Sequence, residues 1–563
     1  MKKGRGSRSH GDSDFVFLPL GGAGEIGMNV YLYGYGPEDD RDWIMVDLGV
    51  KFGEDHEPGI DVVLPDISFA AGLGNRLKGI VLTHGHEDHF GAVGYLWPDL
   101  KVPVYTTPFT ASLLRAKLHE RRILEHVDLK VVPLSGRFTV GPFDVELVTV
   151  NHSIPEPNAV VIRTPLGLIV HSGDWKIDDA PMFGARIDEA RFREIGEEGC
   201  DVLICDSTNA LREGISPTEQ EVSESLTRLI MAAERRVAVT TFASHVGRLE
   251  TVAKAAEAAG RQLVVAGRAM HTTITAAREA GYLKDLPKVV NDESFGYLPP
   301  ERVVCLCTGS QGEPRAAMAR IAEDIHPTIS LEAGDLVIFS SKTIPGNEKA
   351  VISIENNLAA RGVQVITGEE ALVHVTGHPR RGELDIMYSW LKPKMVIPMH
   401  GEMRHLLEHK LFALSRGVPQ AEVVENGQMM RLAPEPRLLG RVQSGRIHLD
   451  GTILVPADAN SLKARRKLSF AGVIMISLLL NEKGKLVGEA KIAMEGVPVV
   501  DQDGEAMEDI VLDAIDDGLD ARPRGRGKQA NSSIEQIVSQ SVRRAVNASW
   551  GKKPICQVVV HRM

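Results

Sequence analysis

The sequence predicts an α/β protein in three folded parts: a β-rich layered part, a parallel α/β domain inserted into it, and a small α+β unit at the C-terminus. From Phe15 to about Leu211, short strand-like apolar runs alternate with turn signals and few long helical patterns. From about Ser216 the rhythm becomes helix then strand, as in a parallel sheet with helical crossovers. Near the C-terminus, after the basic run LKARRK, two apolar runs, a helical pattern and a closing strand form a separate unit. With 563 residues, 43% of them hydrophobic, the chain can bury a sizeable core and is long enough for about two to four domains.

In order, the first part carries the runs FVFLPL, NVYLYGYG, WIMVDLG, GIVLTHG, VPVYTT, DVELVTV, AVVIRTP, GLIVHSG and VLICDST. The second carries EQEVSESLTRLIMAAERR, VAVTTF, HVGRLETVAKAAEAAG and QLVVAG, with further units to about Gly368. VHVTGH and MVIPMHGE then read as strand ends, followed by a helix, HLLEHKLFALSRG, and a short β segment to about Asp450. The last unit has strands VIMISLLL and LVGEAKIAME, a helix around Ser532 to Ser549, and ICQVVVHR; DARPRGRGKQA within it reads as a mobile loop. The expected boundaries are a flexible tail (1–13), the layered domain (14–214 and 371–450), the inserted domain (215–370), a linker (451–467) and the C-terminal unit (468–563).

Composition sets limits on function. No window reaches the run of about 18 apolar residues that a membrane span needs, and MKKGRGSRSHGDSD lacks the apolar core of a signal peptide, so a cytoplasmic location is the expectation. The cysteines Cys200, Cys205, Cys305, Cys307 and Cys556 are scattered through apolar runs and read as reduced core residues. A net charge of -11 argues against wholesale coating of nucleic acid but is compatible with a local basic groove.

The stretch VLTHGHEDHFGAV sets three histidines and two carboxylates between His84 and His89, at the end of the buried strand GIVLT. His84 and His86 can close on one ion while Asp88 and His89 face a second. Imidazole and carboxylate without thiolate suit Zn²⁺ or Mn²⁺ in a catalytic rather than a structural site; the alternative is a solvated polar turn. One loop cannot complete two coordination shells, and His152, Asp174 and His400 offer partners, each after an apolar strand. GAGEIG (Gly22 to Gly27) formally fits a dinucleotide fingerprint, with Asp47 about twenty residues beyond, but that fingerprint needs a helix next. MNVYLYGYG reads as a strand, so the glycines are expected to form a tight hairpin near the site.

HxHxDH followed by a distant His, Asp and His resembles the metallo-β-lactamase superfamily, which implies an αββα sandwich. The resemblance implies one metal on His84, His86, His152 and Asp174, and a second on Asp88, His89, Asp174 and His400, with Asp174 bridging. Asp47 corresponds to an acidic residue that fixes a ligand histidine from behind. Two metals sharing a carboxylate suit phosphodiester or acyl hydrolysis equally.

The domain inserted ahead of His400, with Asp206 in LICDSTN and His378 in HVTGH, is similar to the β-CASP nucleases. FASHVGRLE, GRAM, CTGSQGEP and the C-terminal unit extend the resemblance to the bacterial ribonuclease J family across nearly the whole chain. That resemblance implies a ribonuclease with two divalent ions per subunit, Zn²⁺ first and Mn²⁺ as the alternative, cutting RNA from the 5′ end and internally to leave 5′ phosphates. It implies substrate contacts from Ser244, His245 and His374, Val375, Thr376, Gly377 and His378, and catalytic roles for Asp174, Asp206 and His378, with His378 as the general acid. The family pattern has FASN and GHA where this chain has FASH and GHPRRGE, so Pro379 and Arg380 alter the pocket expected to take a 5′ monophosphate. Expected partners are single-stranded RNA, a second copy (homodimer or homotetramer) through the C-terminal unit and an RNA-degradation complex, with no membrane. The rival readings are a metallo-hydrolase of a small ester, thioester or lactone, and a non-catalytic RNA-binding scaffold.

Overall fold

The computed structural model describes residues 13–54, 56–344, 346–482, 484–521 and 528–563. All of the expected N-terminal tail but Ser13 lies outside the described residues, as does the Arg522 to Gly527 part of the arginine-rich loop. The chain divides into two compact units, Met1–Lys51 with Val63–Arg446, and Phe52–Val62 with Ile447–Met563.

In the first unit an eight-stranded sheet runs in the order Arg437–Arg441, Gln428–Ala433, Ser13–Gly21, Val30–Pro37, Asp42–Val46, Leu77–Val81, Val104–Thr106, Leu129–Val131. A seven-stranded sheet runs Arg137–Val140, Phe143–Thr149, Asn158–Thr164, Gly167–His171, Val202–Asp206, Met395–Met399, Gln420–Ala421. Alternate residues of the first sheet (Phe15, Phe17, Tyr31, Tyr33, Ile44, Val46) share one apolar core with Val145, Leu147, Val160, Ile162, Ile204 and Ile397 of the second. The sheets therefore stack face to face, as strand periodicity dictates. The far face of the seven-stranded sheet (Val161, Val170, Leu203, Val396) packs on Phe192, Leu384, Trp390 and Phe412 from the helices Glu189–Glu198, Arg381–Leu391 and Met403–Ser415. Burial on both faces explains why VLICD and MVIPM are apolar throughout rather than alternating.

Val202–Asp206 and Met395–Met399 are parallel neighbours, with Asp206 opposite Met399. Between them in sequence lies a six-stranded sheet, Val289–Val290, Gln262–Ala266, Val303–Cys307, Val237–Thr240, Leu336–Phe339, Gln364–Ile366, whose paired strands are all parallel. Helices cover both its faces, giving the two apolar clusters around Val239 and Cys305. The insertion thus brings Asp206 and His400, nearly two hundred residues apart in sequence, to adjacent strand ends.

In the second unit, Val473–Leu480 pairs antiparallel with Lys491–Glu495 and parallel with Ile555–Arg562. Ile474, Ile476, Leu478 and Leu480 point onto the helices Met507–Asp520 and Lys528–Trp550, while Met475, Leu479 and Val559 are exposed.

Two sequence expectations need correction. The segment taken as a linker is structured: Ile453–Pro456 pairs with Arg446–Asp450, and LKARRK lies in the helix Asn460–Ala471, with Leu462 buried and Arg465 Nη2 2.7 Å from Asp450 Oδ2. No Gly or Pro interrupts Asn460–Ala471, and its straight-chain residues favour helix. HVTGH is not a strand end but an irregular loop leading into the helix Arg381–Leu391. The cysteines are free, with Cys200, Cys205, Cys305 and Cys307 buried as expected.

Candidate metal centre

The strand Leu77–Val81 ends just before Thr83 and His84, and the single helical turn Glu87–Phe90 carries Asp88 and His89. Backbone bonds Leu48 N to His89 O (2.7 Å), Val50 N to Glu87 O (3.0 Å) and Asn29 N to Asp88 O (2.9 Å) clamp that turn against two neighbouring segments. The approach is so close that a Cβ on Gly49 would lie 1.6 Å from Asp88 O, so only glycine fits there. Asp47 and His400 adopt left-handed backbone (φ 63 and 50), a conformation costly for non-glycine residues and concentrated at functional sites.

His84, His86, His152 and Asp174 offer ligand atoms all within 4.8 Å of one another. His84 Nε2 and His152 Nε2 lie 3.1 and 3.0 Å from His86 Nδ1, so three ring nitrogens converge. His152 donates its Nδ1 proton to the Gly377 carbonyl (2.6 Å), which leaves Nε2 as a bare lone pair aimed at this point. Burial holds His84 and His152 well below the usual imidazole range and His86 at about 4, so all three are neutral donors. Three ring nitrogens and a carboxylate brought this close form a donor set that a cation between them would satisfy: the residues fit a divalent metal.

Asp88, His89, Asp174 and His400 form a second such group. Asp174 Oδ2 lies 3.1 Å from His89 Nε2 and its Oδ1 3.1 Å from His400 Nδ1, while His400 Nε2 is 3.2 Å from Asp88 Oδ2. Burial would lower the pKa values of His89 and His400, but the surrounding carboxylates, Asp174 foremost, raise both well above the usual range. Asp174 is buried and Asp88 partly so, and two carboxylates crowded together there demand positive charge, the demand a second divalent ion meets. Asp47 accepts from Thr83 N (2.8 Å), Thr83 Oγ1 (2.9 Å) and His89 Nδ1 (2.7 Å), fixing His89 with Nε2 towards the centre.

Asp206 and His378 stand beside this centre, His378 Nδ1 2.7 Å from Asp206 Oδ2 and 3.8 Å from Asp174 Oδ2. Burial lowers the His378 pKa, but Asp206 and Asp174 outweigh it and the net shift is upward. Asn209 Nδ2 donates to Thr376 Oγ1 (2.7 Å) and the His378 carbonyl (3.2 Å), holding the loop in place. Of the remaining sequence-selected residues, Val375 is buried, and Ser244 and His374 are half-buried and not gathered into the metal groups. His245 is buried, its Nδ1 accepting from Arg248 N (3.2 Å) and its Nε2 3.2 Å from Glu219, so both nitrogens are turned inward.

Sequence reasoning missed Asn29, Thr83 and Thr208. Asn29 Nδ2 lies 3.0 Å from His89 Nε2 and 3.3 Å from Asp88 Oδ2, and Thr208 Oγ1 lies 3.1 Å from His400 Nδ1. Thr83, directly ahead of HGHEDH, and Thr208, two residues after Asp206, were available as neighbours of the motifs. Asn29 sat behind the GAGEIG glycines, where a strand, Val30–Pro37, follows as expected and no helix does.

A two-layer sandwich with clustered histidines and aspartates at its strand ends, interrupted by a parallel α/β domain, defines a metallo-β-lactamase-type protein with an added domain. Family models agree: the metallo-beta-lactamase superfamily matches residues 24–180, the ribonuclease J beta-CASP domain 234–358, a Zn-dependent metallo-hydrolase RNA specificity domain 362–414, and the ribonuclease J C-terminal domain 460–563. Ribonuclease J of Sinorhizobium meliloti is 49% identical over 553 residues, 98% of either chain. Those of Mycolicibacterium smegmatis (37%, 95% of either chain) and Thermus thermophilus (38%, 84% of either chain) are also similar. A crystal structure of a protein of unknown function from Enterococcus faecalis V583 shares the fold, with TM-score 0.52 at 16% identity over 74% of this chain and all of that one. The chain belongs to the ribonuclease J family. No helix among the described residues is long and apolar enough to cross a membrane.

Proposed function

We propose that this chain is a metal-dependent ribonuclease that degrades RNA from the 5′ end, also cuts internally, and leaves 5′-phosphate products in RNA maturation and mRNA decay. The observation that carries the reading is the convergence of His84, His86, Asp88, His89, His152, Asp174 and His400 beside the Asp206 and His378 pair. The match of residues 362–414 to an RNA specificity domain supports RNA as the polymer. His84, His86, His152 and Asp174 would hold one ion and Asp88, His89, Asp174 and His400 the other, Zn²⁺ first and Mn²⁺ as the alternative. When bound, such a pair lowers the pKa of water and neutralises charge on an in-line phosphodiester displacement.

The protein groups do the rest. Asp206 fixes His378 through Nδ1, which leaves Nε2 as the nitrogen that can hand a proton to the leaving 3′ oxygen. Residues 374–378 and Ser244 would meet the phosphates of the substrate; with His245 turned inward, its part is structural. The C-terminal unit, with Met475, Leu479 and Val559 exposed on one sheet face, would join copies into a dimer or tetramer, and a cytoplasmic enzyme in an RNA-degradation complex completes the reading. Product analysis on a long RNA bearing either a 5′ mono- or a 5′ triphosphate tests the proposal. Mononucleotides from the monophosphate substrate support it, and no cleavage of either RNA with metals loaded refutes it.

A further inference from the structure

The helix Glu219–Ala232 starts at a capping box on Thr218, and its first residue, Glu219, turns a buried carboxylate inward while its backbone N donates to Asp178 Oδ2 (3.1 Å). The next helix, Val246–Ala258, carries Arg248 in its first turn, with no exposed surface. Arg248 Nη2 donates to Glu219 Oε2 at 2.9 Å and Nη1 to the Val373 carbonyl at 2.7 Å and to Ser340 Oγ. Ser340 Oγ donates to the same Val373 carbonyl at 2.7 Å. A fully buried ion pair is weak as a source of stability, because desolvation offsets its attraction. What it does supply is geometry, and a planar guanidinium can hold two acceptors from different segments at once.

The segment it holds matters. Val373 opens the loop whose Gly377 carbonyl takes the His152 proton, whose Thr376 meets Asn209, and whose His378 meets Asp206. On the other side, Lys176 Nζ lies 2.8 Å from Asp178 Oδ2 and its backbone N donates to the Asn151 carbonyl at 2.8 Å, tying the network to the neighbours of Asp174 and His152. Arg248 is thus the link in a closed ring that runs from the metal centre through both leading helices of the inserted domain and back to the centre.

We propose that Arg248 is a positioning residue for RNA cleavage: by gripping the Val373 carbonyl it sets residues 374–378 against the metal centre. The proposal rests on the ribonuclease reading. RNA turnover by the unaltered chain is therefore scored first, so a failure of that reading is seen separately from a failure of the Arg248 assignment.

The test compares the full-length, metal-loaded chain with Arg248→Met, Arg248→Lys and Ser340→Ala. Three readouts are taken: steady-state cleavage of 5′-labelled RNA, RNA affinity by fluorescence anisotropy, and metal content by mass spectrometry. Misplacing reacting groups by about 1 Å can cost about 10²-fold, so Arg248→Met is expected to lower kcat about 10- to 100-fold. Metal content should stay within about threefold of native, since Arg248 contacts no residue of the two metal groups, while RNA affinity weakens alongside kcat as residues 374–378 shift from the substrate phosphates. Arg248→Lys should recover part of kcat, because one ammonium can reach one acceptor but not both. Ser340→Ala should show a smaller kcat loss. A native kcat in Arg248→Met, a loss confined to KM, or a loss that tracks missing metal overturns the proposal. If Arg248→Met does not fold, Ser340→Ala decides: a lowered kcat supports the assignment and a native one overturns it.

Discussion

Asp206 Oδ2 and His378 Nδ1 lie 2.7 Å apart although the residues are 172 positions apart in sequence, and the carboxylate is fully buried. The contact joins the end of a sandwich strand to the loop that follows the inserted domain. The carboxylate sets both the tautomer and the direction of the imidazole. Asp206→Asn keeps the shape and loses the charge, so kcat should fall about 10²- to 10⁴-fold, the range of a general acid's contribution. His378→Ala should lose a similar amount, and the double variant little more, because the two act as one unit. Single-turnover cleavage of labelled RNA measures all three; losses that multiply in the double variant would show that they work independently.

Asp47 is the anchor of His89, with its Oδ2 2.7 Å from Nδ1, and it also accepts from Thr83. Removing it frees the ring to rotate about an otherwise intact site. Asp47→Ala should weaken metal binding at the Asp88, His89, Asp174 and His400 group about 10- to 100-fold and leave binding at the His84, His86 and His152 group nearly native, as loss of a supporting carboxylate does elsewhere. Competition titration against a chelator resolves the two sites; equal weakening of both would contradict the assignment.

How much of this was readable beforehand follows from where the information lies. His84, His152, Asp174 and His400 each follow an apolar strand, and burial periodicity marks strand ends, so the residues of the candidate metal groups could be found without knowing which strands are neighbours. Asn29 carries no such mark: its contact with His89 depends on how the turn after Gly27 folds back, and the glycines there fit a formal pattern of another kind. Arg248 shows the same limit, since its acceptor Val373 is 125 residues away and is a backbone carbonyl, which no side-chain pattern records. The motif FASHVGRLE marks His245, but the ring closes its own helix and meets Glu219. LKARRK looked like a solvated linker because charge dominates it, and the single buried Leu462 that fixes it as a helix is too weak a pattern alone.

Glu146, 7% exposed in the seven-stranded sheet, is gripped by Arg191 Nε (2.6 Å) and Arg163 Nη1 (2.7 Å). Burial alone would raise its pKa; hydrogen bonds from Arg191 and Arg163 outweigh that and hold it below the ordinary carboxylate value. A group whose folded pKa is depressed adds stability above its unfolded value, about 4.3, and that stability is lost as pH falls through the folded value. Glu146→Gln should therefore cost about 1–3 kcal/mol at pH 7 and less at pH 3, below the unfolded value. Urea midpoints at both pH values check this; an equal cost at the two would exclude the ionic origin.

The exposed sheet face of the C-terminal unit carries Met475, Leu479 and Val559, at 43%, 38% and 50% exposure. Apolar side chains adjacent on one face suit contact with another copy better than contact with water. Met475→Lys with Val559→Lys should lower the mass seen by light scattering to that of a single chain. An oligomer of unchanged mass would place the interface elsewhere.

Gly377 packs against the metal centre itself. A Cβ there would lie 2.4 Å from His152 Nδ1 and 2.5 Å from its Cε1, while the carbonyl of the same residue takes the His152 proton at 2.6 Å. Its backbone is not in the left-handed region, so alanine brings no conformational strain, and any effect is the push of one methyl group on the His152 ring. That push either turns His152 away from His84 and His86 or lifts the loop and carries His378 off Asp206. Gly377→Ala should accordingly lower cleavage about 10²-fold, the cost of about an ångström of misplacement. Metal titration tells the routes apart: weakened binding at one site means the ring moved, and native binding means the loop moved. Gly368→Ala, where a Cβ meets nothing within 4 Å, serves as the control and should cleave as the native chain does. Native cleavage by Gly377→Ala would mean that the loop does not rest on His152 during turnover.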